Sequence, residues 1–288
     1  MSVGGQPVRL RVHFAPVGFQ IQRLVVPAVA MKADVVILLT KSTTDSAREA
    51  LEKDLQHLAD AKIGHHLIEC NIWDPAVVTS EVGTMVTAAP QHEYFFNTST
   101  GPRTACIAGT VAAMLWPVRP YYVPVDADAK EVEGRDDFPV SGEAIFIPTF
   151  ETPSLERSTV EALEYIATRG NPLSKKELMS HLRDVGVLKP RRGIEAVTPQ
   201  AYHAQTDSIL QRLVAWGFVE LSGRGKTLQI RATSMGSAGS KMFHHVLNPR
   251  PPPEVLLARS SKMWTAPPIR STAKAVRSGL QDAKRKKT

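Results

Sequence analysis

The apolar positions of the first 125 residues change period repeatedly, from two to about 3.6 and back. Val8, Leu10, Val12 and Phe14 alternate as one face of a strand, and residues 19–32 follow with helical spacing. Asp34–Thr40 is a short apolar run of buried-strand length. A polar start at Thr43–Asp45 opens a helix to about Ala61, with Ala47, Leu51, Leu55, Leu58 and Ala59 on its apolar face. The pattern continues with a strand at His66–Glu69 and a helix that begins at Asp74–Pro75 and runs to about Ala88. A strand at Glu93–Phe96, a helix at Gly101–Leu115 and a strand at Arg119–Val125 complete it. Such repetition predicts a parallel sheet covered by helices on both faces. Two features sit awkwardly in that sheet. Arg9 and Arg11 put charge on one face of the first strand, where a covered parallel strand is apolar. Pro120 and Pro124 suit an edge strand or a bend.

Beyond residue 125 the pattern changes. Residues 126–154 open with the acidic stretch DADAKEVEGRDD and contain a short apolar piece, Ala144–Pro148; they read as a connector, with room for a small hairpin. A second unit spans 155–247. Its first helix, Leu155–Arg169, carries Val160, Leu163 and Ile166–Ala167 on one face. Ser174 followed three residues later by Glu177 is a capping-box pattern, opening a second helix to about Asp184. Thr198–Pro199 opens a third helix ending at Trp216–Gly217, and two short strands, Phe218–Leu221 and Thr227–Arg231, flank a glycine-rich basic tip. Three helices and then a hairpin is the order of a winged helix-turn-helix. Residues 248–288, with Pro251–Pro253 and Pro267–Pro268, read as a basic and largely disordered tail. The fold class expected is thus α/β, a Rossmann-like doubly wound sheet over 1–125, followed by an α+β winged helix-turn-helix.

Composition narrows the function. Two cysteines, Cys70 and Cys106, without motif spacing exclude a disulfide scaffold and a zinc ribbon. No apolar run reaches membrane-span length, and the first residues lack a secretory pattern, so a cytoplasmic protein is expected. The net charge of +7 is uneven. Residues 1–154 hold 12 Lys/Arg against 18 Asp/Glu, residues 155–247 hold 13 against 8, and residues 248–288 hold 10 against 2. An acidic front half joined to a basic back half makes nucleic acid the expected partner of the back half.

In a doubly wound sheet, ligands bind beyond the carboxyl ends of the strands. Three such ends carry candidate chemistry. Ala15–Phe19, with Pro16, Gly18 and Phe19, offers a close backbone approach at Gly18, or simply a strand-to-helix turn. Thr40–Asp45, with Thr40 and Lys41, gathers hydroxyls and a cation at a helix start, where capping is the plain alternative. Asn97–Thr104 is the richest: Thr98, Ser99 and Thr100 precede Gly101, Pro102 fits a first helical turn, and Arg103 adds a guanidinium. The helix behind it, ACIAGTVAAML, is small and apolar nearly all round and must be buried against the sheet or a second subunit. No dinucleotide fingerprint follows the first strand, and Gly225–Thr227 lacks the earlier glycine of a P-loop. His65, His66, Glu69 and Cys70 are a metal set only in principle, because strand alternation sends neighbours to opposite faces.

In the second unit the third helix is the one that enters a major groove, and its first half offers Gln200, Tyr202, His203, Gln205 and Thr206. Lys175, Lys176, Arg191, Arg192, Arg224 and Lys226 are candidate clamps on the DNA backbone. The alternative is a solvated cationic face, or a winged helix used for protein contact.

The segments VHFAPVGFQIQRLVVPAVAMKADVVILLT (12–40) and FNTSTGPRTACIAGTVAAML (96–115) resemble the two ligand motifs of CRISPR-associated Rossmann-fold (CARF) domains. With YHAQTDSILQRLVAWGFVELSGRGKTLQI (202–230), the chain resembles archaeal regulators that join such a domain to a winged helix. The resemblance covers about residues 8–235. It implies a homodimer that senses a nucleotide, cyclic oligoadenylate above all, in a shared cleft, and that regulates transcription by binding double-stranded DNA. It implies Gly18, Phe19, Thr40, Ser99, Thr100, Gly101 and Arg103 as ligand contacts, with no further cofactor. Some members of the family cleave the ring, so a ring nuclease is the alternative. The commonest motif there has two adjacent glycines, where this chain has Gly101–Pro102.

Overall fold

The computed structural model describes residues 8–41, 45–125, 139–140, 142–150, 152, 155–188 and 199–257. The first unit is built from β1 (Arg11–Pro16), α1 (Gln22–Ala30), β2 (Val35–Thr40), α2 (Asp45–Asp60), β3 (Gly64–Glu69), α3 (Pro75–Ala88), β4 (Glu93–Asn97), α4 (Arg103–Leu115), β5 (Val118–Tyr122) and β6 (Ile145–Phe146). The strand order is β3-β2-β1-β4-β5-β6. The first five strands are parallel, and β6 closes the edge antiparallel to β5.

The sheet is apolar on both faces because alternate residues feed two cores. Val12, Phe14, Ile37, Leu39, Tyr94 and Phe96 meet α3 and α4 on one side. Ala15, Val17, Val36 and Leu38 meet α1 and α2 on the other. The second face thins toward β4 and β5, where Phe95, Tyr121 and Val123 are covered by Met31 and by Val140 and Ala144 of the connector. The arginines of β1 lie at the open end of this face. Arg9, Arg11 and Arg119 converge on the Glu93 carboxylate at 3.3, 3.8 and 3.1 Å. Arg119 also lies 4.4 Å over the Phe95 ring. A carboxylate on the neighbouring strand thus resolves the conflict between charge and burial. Pro120 is tolerated because β5 lies one strand from the edge, beside a two-residue β6.

The second unit comprises α5 (Arg157–Arg169), β7 (Leu173–Ser174), α6 (Lys175–Asp184), α7 (Pro199–Ala215), β8 (Val219–Ser222), β9 (Gln229–Ala232) and α8 (Ser234–Leu247). Its sheet order is β7-β9-β8. Leu163, Ile166, Leu178, Leu182, Leu210, Leu213 and Ile230 form a separate core. The expected capping box is present: the Glu177 N–H donates to Ser174 Oγ at 3.3 Å, and the Ser174 N–H donates to the Glu177 carboxylate at 2.8 Å. Ser174→Ala should cost about 1 kcal/mol, read as a lower denaturation midpoint for this unit. An unchanged midpoint would remove the cap from the account.

α8 is the element the sequence pattern did not suggest. Its run Ser-Met-Gly-Ser-Ala-Gly-Ser is rich in weak helix formers. The small residues have a packing reason: a Cβ at Gly236 would overlap the Phe218 carbonyl. α8 packs against α5 on one side and α3 on the other, so it joins the two units. Lys241 reaches Asp74 at 3.3 Å. After α8 the chain continues over the first unit: Arg250 pairs with Glu81 at 2.7 Å, and Leu256 enters the first core while its carbonyl accepts from His92 Nε2 at 2.9 Å, His92 Nδ1 being the acceptor of the Leu10 N–H. No described helix is long and apolar enough to cross a membrane.

Candidate ligand and nucleic-acid sites

Strand order reverses between β1 and β4. The chain leaves β1 toward β2 and α1, and leaves β4 toward β5 and α4 on the opposite face. The two outgoing loops therefore meet over the centre of the sheet, the place where such folds open a crevice. Here the meeting is backbone to backbone. A Cβ at Gly18 would stand 2.6 Å from the Gly101 nitrogen. Gly101 adopts φ +74°, and its own Cβ would stand 2.5 Å from Pro16 Cβ. Glycine is required at both positions, by space at Gly18 and by space and conformation at Gly101.

The polar residues of the second loop divide into two groups. One group holds the loop. Asn97 Nδ2 donates to the Arg23 carbonyl at 2.8 Å, and its Oδ1 accepts the Ser99 N–H at 2.8 Å. The Thr98 N–H and hydroxyl both donate to the Tyr121 carbonyl at 2.9 Å. Ser99 Oγ accepts the Val123 N–H at 2.5 Å. The other group is unspent. Thr100 is buried, with its hydroxyl unpaired. Arg103 is exposed, with no partner among the described residues. No side chain caps α4; the Ala105 and Cys106 N–H groups donate to the Pro102 carbonyl at 3.0 and 3.2 Å, and those of Arg103 and Thr104 at the helix start have no acceptor among the described residues.

Arg23, which sequence reasoning passed over, supports this loop from α1. Its Nε and a terminal nitrogen donate to the Val123 carbonyl at 3.1 and 2.7 Å, its other nitrogen meets Gln20 at 3.0 Å, and its guanidinium stacks 4.9 Å from the Tyr122 ring. The available signal was that Arg23 is the one Lys or Arg between Arg11 and Lys32. Cys106 lies beside the loop, its thiol bonded to the Thr100 carbonyl at 3.4 Å. Burial raises its pKa, against a smaller opposing effect of Arg23, which makes it a poor nucleophile.

The other expected contacts fall at different depths. Phe19 is exposed beside Gly18. Thr40 is buried, and its carbonyl accepts the Cys70 N–H at 2.8 Å. Lys41 is exposed, and residues 42–44 lie outside the described chain. Trp73, in the loop between β3 and α3, is a further exposed aromatic; its neighbour Ile72 offers a carbonyl to the Thr104 hydroxyl at 3.4 Å. Among the described residues no group of three or more His, Cys, Asp and Glu is arranged to hold a metal ion.

In the second unit the candidate DNA contacts separate more sharply. Gln200 and His203 are exposed on α7, as are Lys176 on α6 and Arg224 at the β8–β9 tip. Gln205 is half-buried. Three residues are turned to structural work. Thr206 is fully buried, and its hydroxyl donates to the Tyr202 carbonyl at 2.8 Å. Tyr202 packs against the core. Lys175 is held by Asp207 at 2.5 Å. The helical period explains the loss: Tyr202 and Thr206 are four residues apart and share the face that carries Ile209 and Leu210 into the core. Arg191, Arg192 and the Lys226 side chain lie outside the described residues.

Comparison with known proteins gives limited matches. A family model described as "HFX_2341_N:-like, N-terminal" matches residues 11–128, less than half of the chain. No curated protein matches. Among solved structures, the chain is similar to Can2 from Sulfobacillus thermosulfidooxidans in complex with cyclic tetra-adenylate, at 14% identity and TM-score 0.36, over 78% of this chain and 73% of that one. It is similar to Enterococcus italicus Csm6 bound to cyclic hexa-2'-fluoro-hexa-dAMP, at 9% identity and TM-score 0.36, over 73% of this chain and 55% of that one. It is also similar to a Type III CRISPR defence DNA nuclease activated by cyclic oligoadenylate, at 15% identity and TM-score 0.36, over 75% of this chain and 36% of that one. At such identities and scores, these likenesses assign neither ligand nor activity to the chain.

Proposed function

We propose that this protein is a ligand-responsive DNA-binding regulator: a nucleotide, of the cyclic oligoadenylate class, binds over the β1 and β4 loops and biases DNA binding by the C-terminal unit. The observation that carries the ligand half is the paired loop itself. Two glycines let the loop backbones touch, no side chain caps α4, and Arg103 stands beside it with no partner among the described residues. Open N–H groups at a helix start with an adjacent guanidinium suit phosphate oxygens. The exposed rings of Phe19 and Trp73 at the same end of the sheet suit bases. The resemblance of 12–40 and 96–115 to the CARF motifs supports the same class. A second copy completes the cleft in this reading, covering the outward face of α4, where Ile107 is 60% exposed.

The effector half is a winged helix in this proposal. The order α5, α6, α7, β8, β9, with β7 as the third strand, supports it, and Gln200, His203, Lys176 and Arg224 are the described side chains placed to meet DNA. The ligand shifts DNA affinity only by its differential affinity for two arrangements of the dimer.

The test is thermal melting of the full chain with a panel of cyclic oligoadenylates, followed by mass spectrometry of the nucleotide. At about a hundredfold excess over Kd, a ligand of the native state adds roughly 2.7 kcal/mol, a rise of several degrees. A rise with the ring intact is the expected result. A rise with linear product would replace the sensor by a ring nuclease, and no rise with any ring would overturn the nucleotide assignment.

A further inference from the structure

α4 touches everything the proposed regulation needs. Its first turn follows Gly101 and carries Arg103, so its N-terminal end is the ligand loop. Its C-terminal end meets the second unit at two points, beside the larger contact that α8 makes with α3. The Met114 carbonyl, in the last turn, accepts from the Thr152 N–H and from the Thr152 hydroxyl, each at 2.9 Å. Thr152 belongs to the connector that leads into α5. Trp116, directly after the helix, lies 5.2 Å from the His245 ring and 6.4 Å from the Phe243 ring, both on α8. The Trp116 and His245 rings share the space that a side chain at Gly83 of α3 would fill, a Cβ there standing 2.6 Å from each.

The seat of α4 on the sheet lies midway between these ends. Gly109 faces Phe96 of β4, and a Cβ at Gly109 would overlap the ring. Gly109 stands six residues from Arg103 and six from Leu115, so each arm is about 9 Å long at 1.5 Å per residue. The helix presents only Ala105, Ala108, Ala112 and Ala113 with Gly109 to the core, so no large side chain of its own pins either arm. Small side chains let α4 lie close against β4 and α3 along its whole length, and a helix packed this way shifts as one body rather than bending.

We infer that α4 is a two-armed lever, seated on Phe96 at Gly109, that carries the state of the loop at its N-terminus to Thr152 and α8 at its C-terminus. The inference rests on reading the loops as the ligand site. It adds the route by which that site reaches the C-terminal unit, and the residues that make the joint: Met114, Trp116, Thr152 and His245. Coupling of this kind needs a moving element that both sites bias, which here is one helix.

Amide hydrogen exchange of the full chain tests it without depending on the ligand. Gly101→Ala disturbs the loop, because its Cβ meets Pro16. Exchange should quicken at least fivefold in residues 234–247 and stay within twofold in α2. In a Trp116→Leu/Thr152→Val background the response of α8 should fall below twofold. If Gly101→Ala does not fold, Gly18→Ala presses on the same loop from the other side and takes its place. The lever is overturned if α8 is unmoved while the loop responds, if α2 responds equally, or if the joint variant leaves the α8 response intact. Cyclic tetra-adenylate added to the wild-type chain separates the two ideas. If α8 responds to the loop variant but neither loop nor α8 responds to the nucleotide, the lever stands and the nucleotide reading falls.

Discussion

Gly18→Ala should separate the two ligand loops, cost roughly 1–3 kcal/mol of stability, and reduce affinity for cyclic tetra-adenylate at least tenfold. The added methyl would lie 2.6 Å from the Gly101 nitrogen and 3.3 Å from its Cα. Both are backbone atoms, so no side-chain rotation relieves the contact. The loop must move, and with it the start of α4 and Arg103. A loop displaced by even 1 Å misplaces donors that recognise phosphate by position. Phe19→Ala is the matched control: its ring is 62% exposed, so its loss should lower nucleotide affinity with little change in melting temperature. Thermal melting without ligand, and titration calorimetry with it, read the two effects. A Gly18→Ala protein that melts and binds as the wild type does would refute the paired-loop site.

Acid should destabilise the fold between about pH 6.5 and 4, through two buried neutral histidines. His13 is 1% exposed, with Nδ1 3.0 Å from the Tyr121 hydroxyl, and its Nε2 is buried without a partner. Burial first, then Arg11 and Arg119, lower its pKa to about 3. His245 is 4% exposed at the α8 joint, with both ring nitrogens unpaired. Burial first, against an opposing influence of the Met242 backbone and with smaller effects of Arg250 and His244, lowers its pKa to about 4. In the unfolded chain both titrate near 6.5, so below that pH the unfolded state binds protons that the folded state refuses. Their contribution is complete above pH 6.5 and is lost as pH falls toward the folded values. At pH 5 the loss is about 2 kcal/mol for each, a fall in melting temperature on the order of 10 °C together. His245→Phe should remove about half of the fall between pH 7 and 5. An unchanged pH dependence in that variant, or imidazole resonances titrating near pH 6.5 in the folded protein, would exclude these groups as the cause.

The joint histidine gives this acid response a location. Protonating His245 would place a charge among Trp116, Phe243 and α3, next to Arg250. The α8 contact is thus where acid should loosen the two units first, ahead of the central sheet. His13 acts elsewhere, under the connector between Phe95 and Tyr121.

What the sequence determined by itself was the local pattern and its consequences. The alternation of DVVILLT-type runs with helical spacing set the parallel sheet, because a strand that shows two apolar faces must be covered twice. Ser174 and Glu177 set the start of α6, because a capping box lies within one turn. The Asn97–Arg103 loop stood out as polar residues ahead of a glycine, and its place at the end of β4 followed from the repeat.

Tertiary structure decided the rest, for three physical reasons. Division of labour within the loop depends on partners 23 or more residues away. Thr98 and Ser99 are held by Tyr121 and Val123, and only then are Thr100 and Arg103 left over. Facing on α7 depends on which stripe the other helices cover, and that stripe takes Thr206 and Tyr202 from the DNA-facing set. α8 is helical against its own propensity, because glycines that weaken an isolated helix are what let it lie on Phe218 and α5. A sequence displays propensity and period, but a close approach between two elements is visible only when both surfaces are in place.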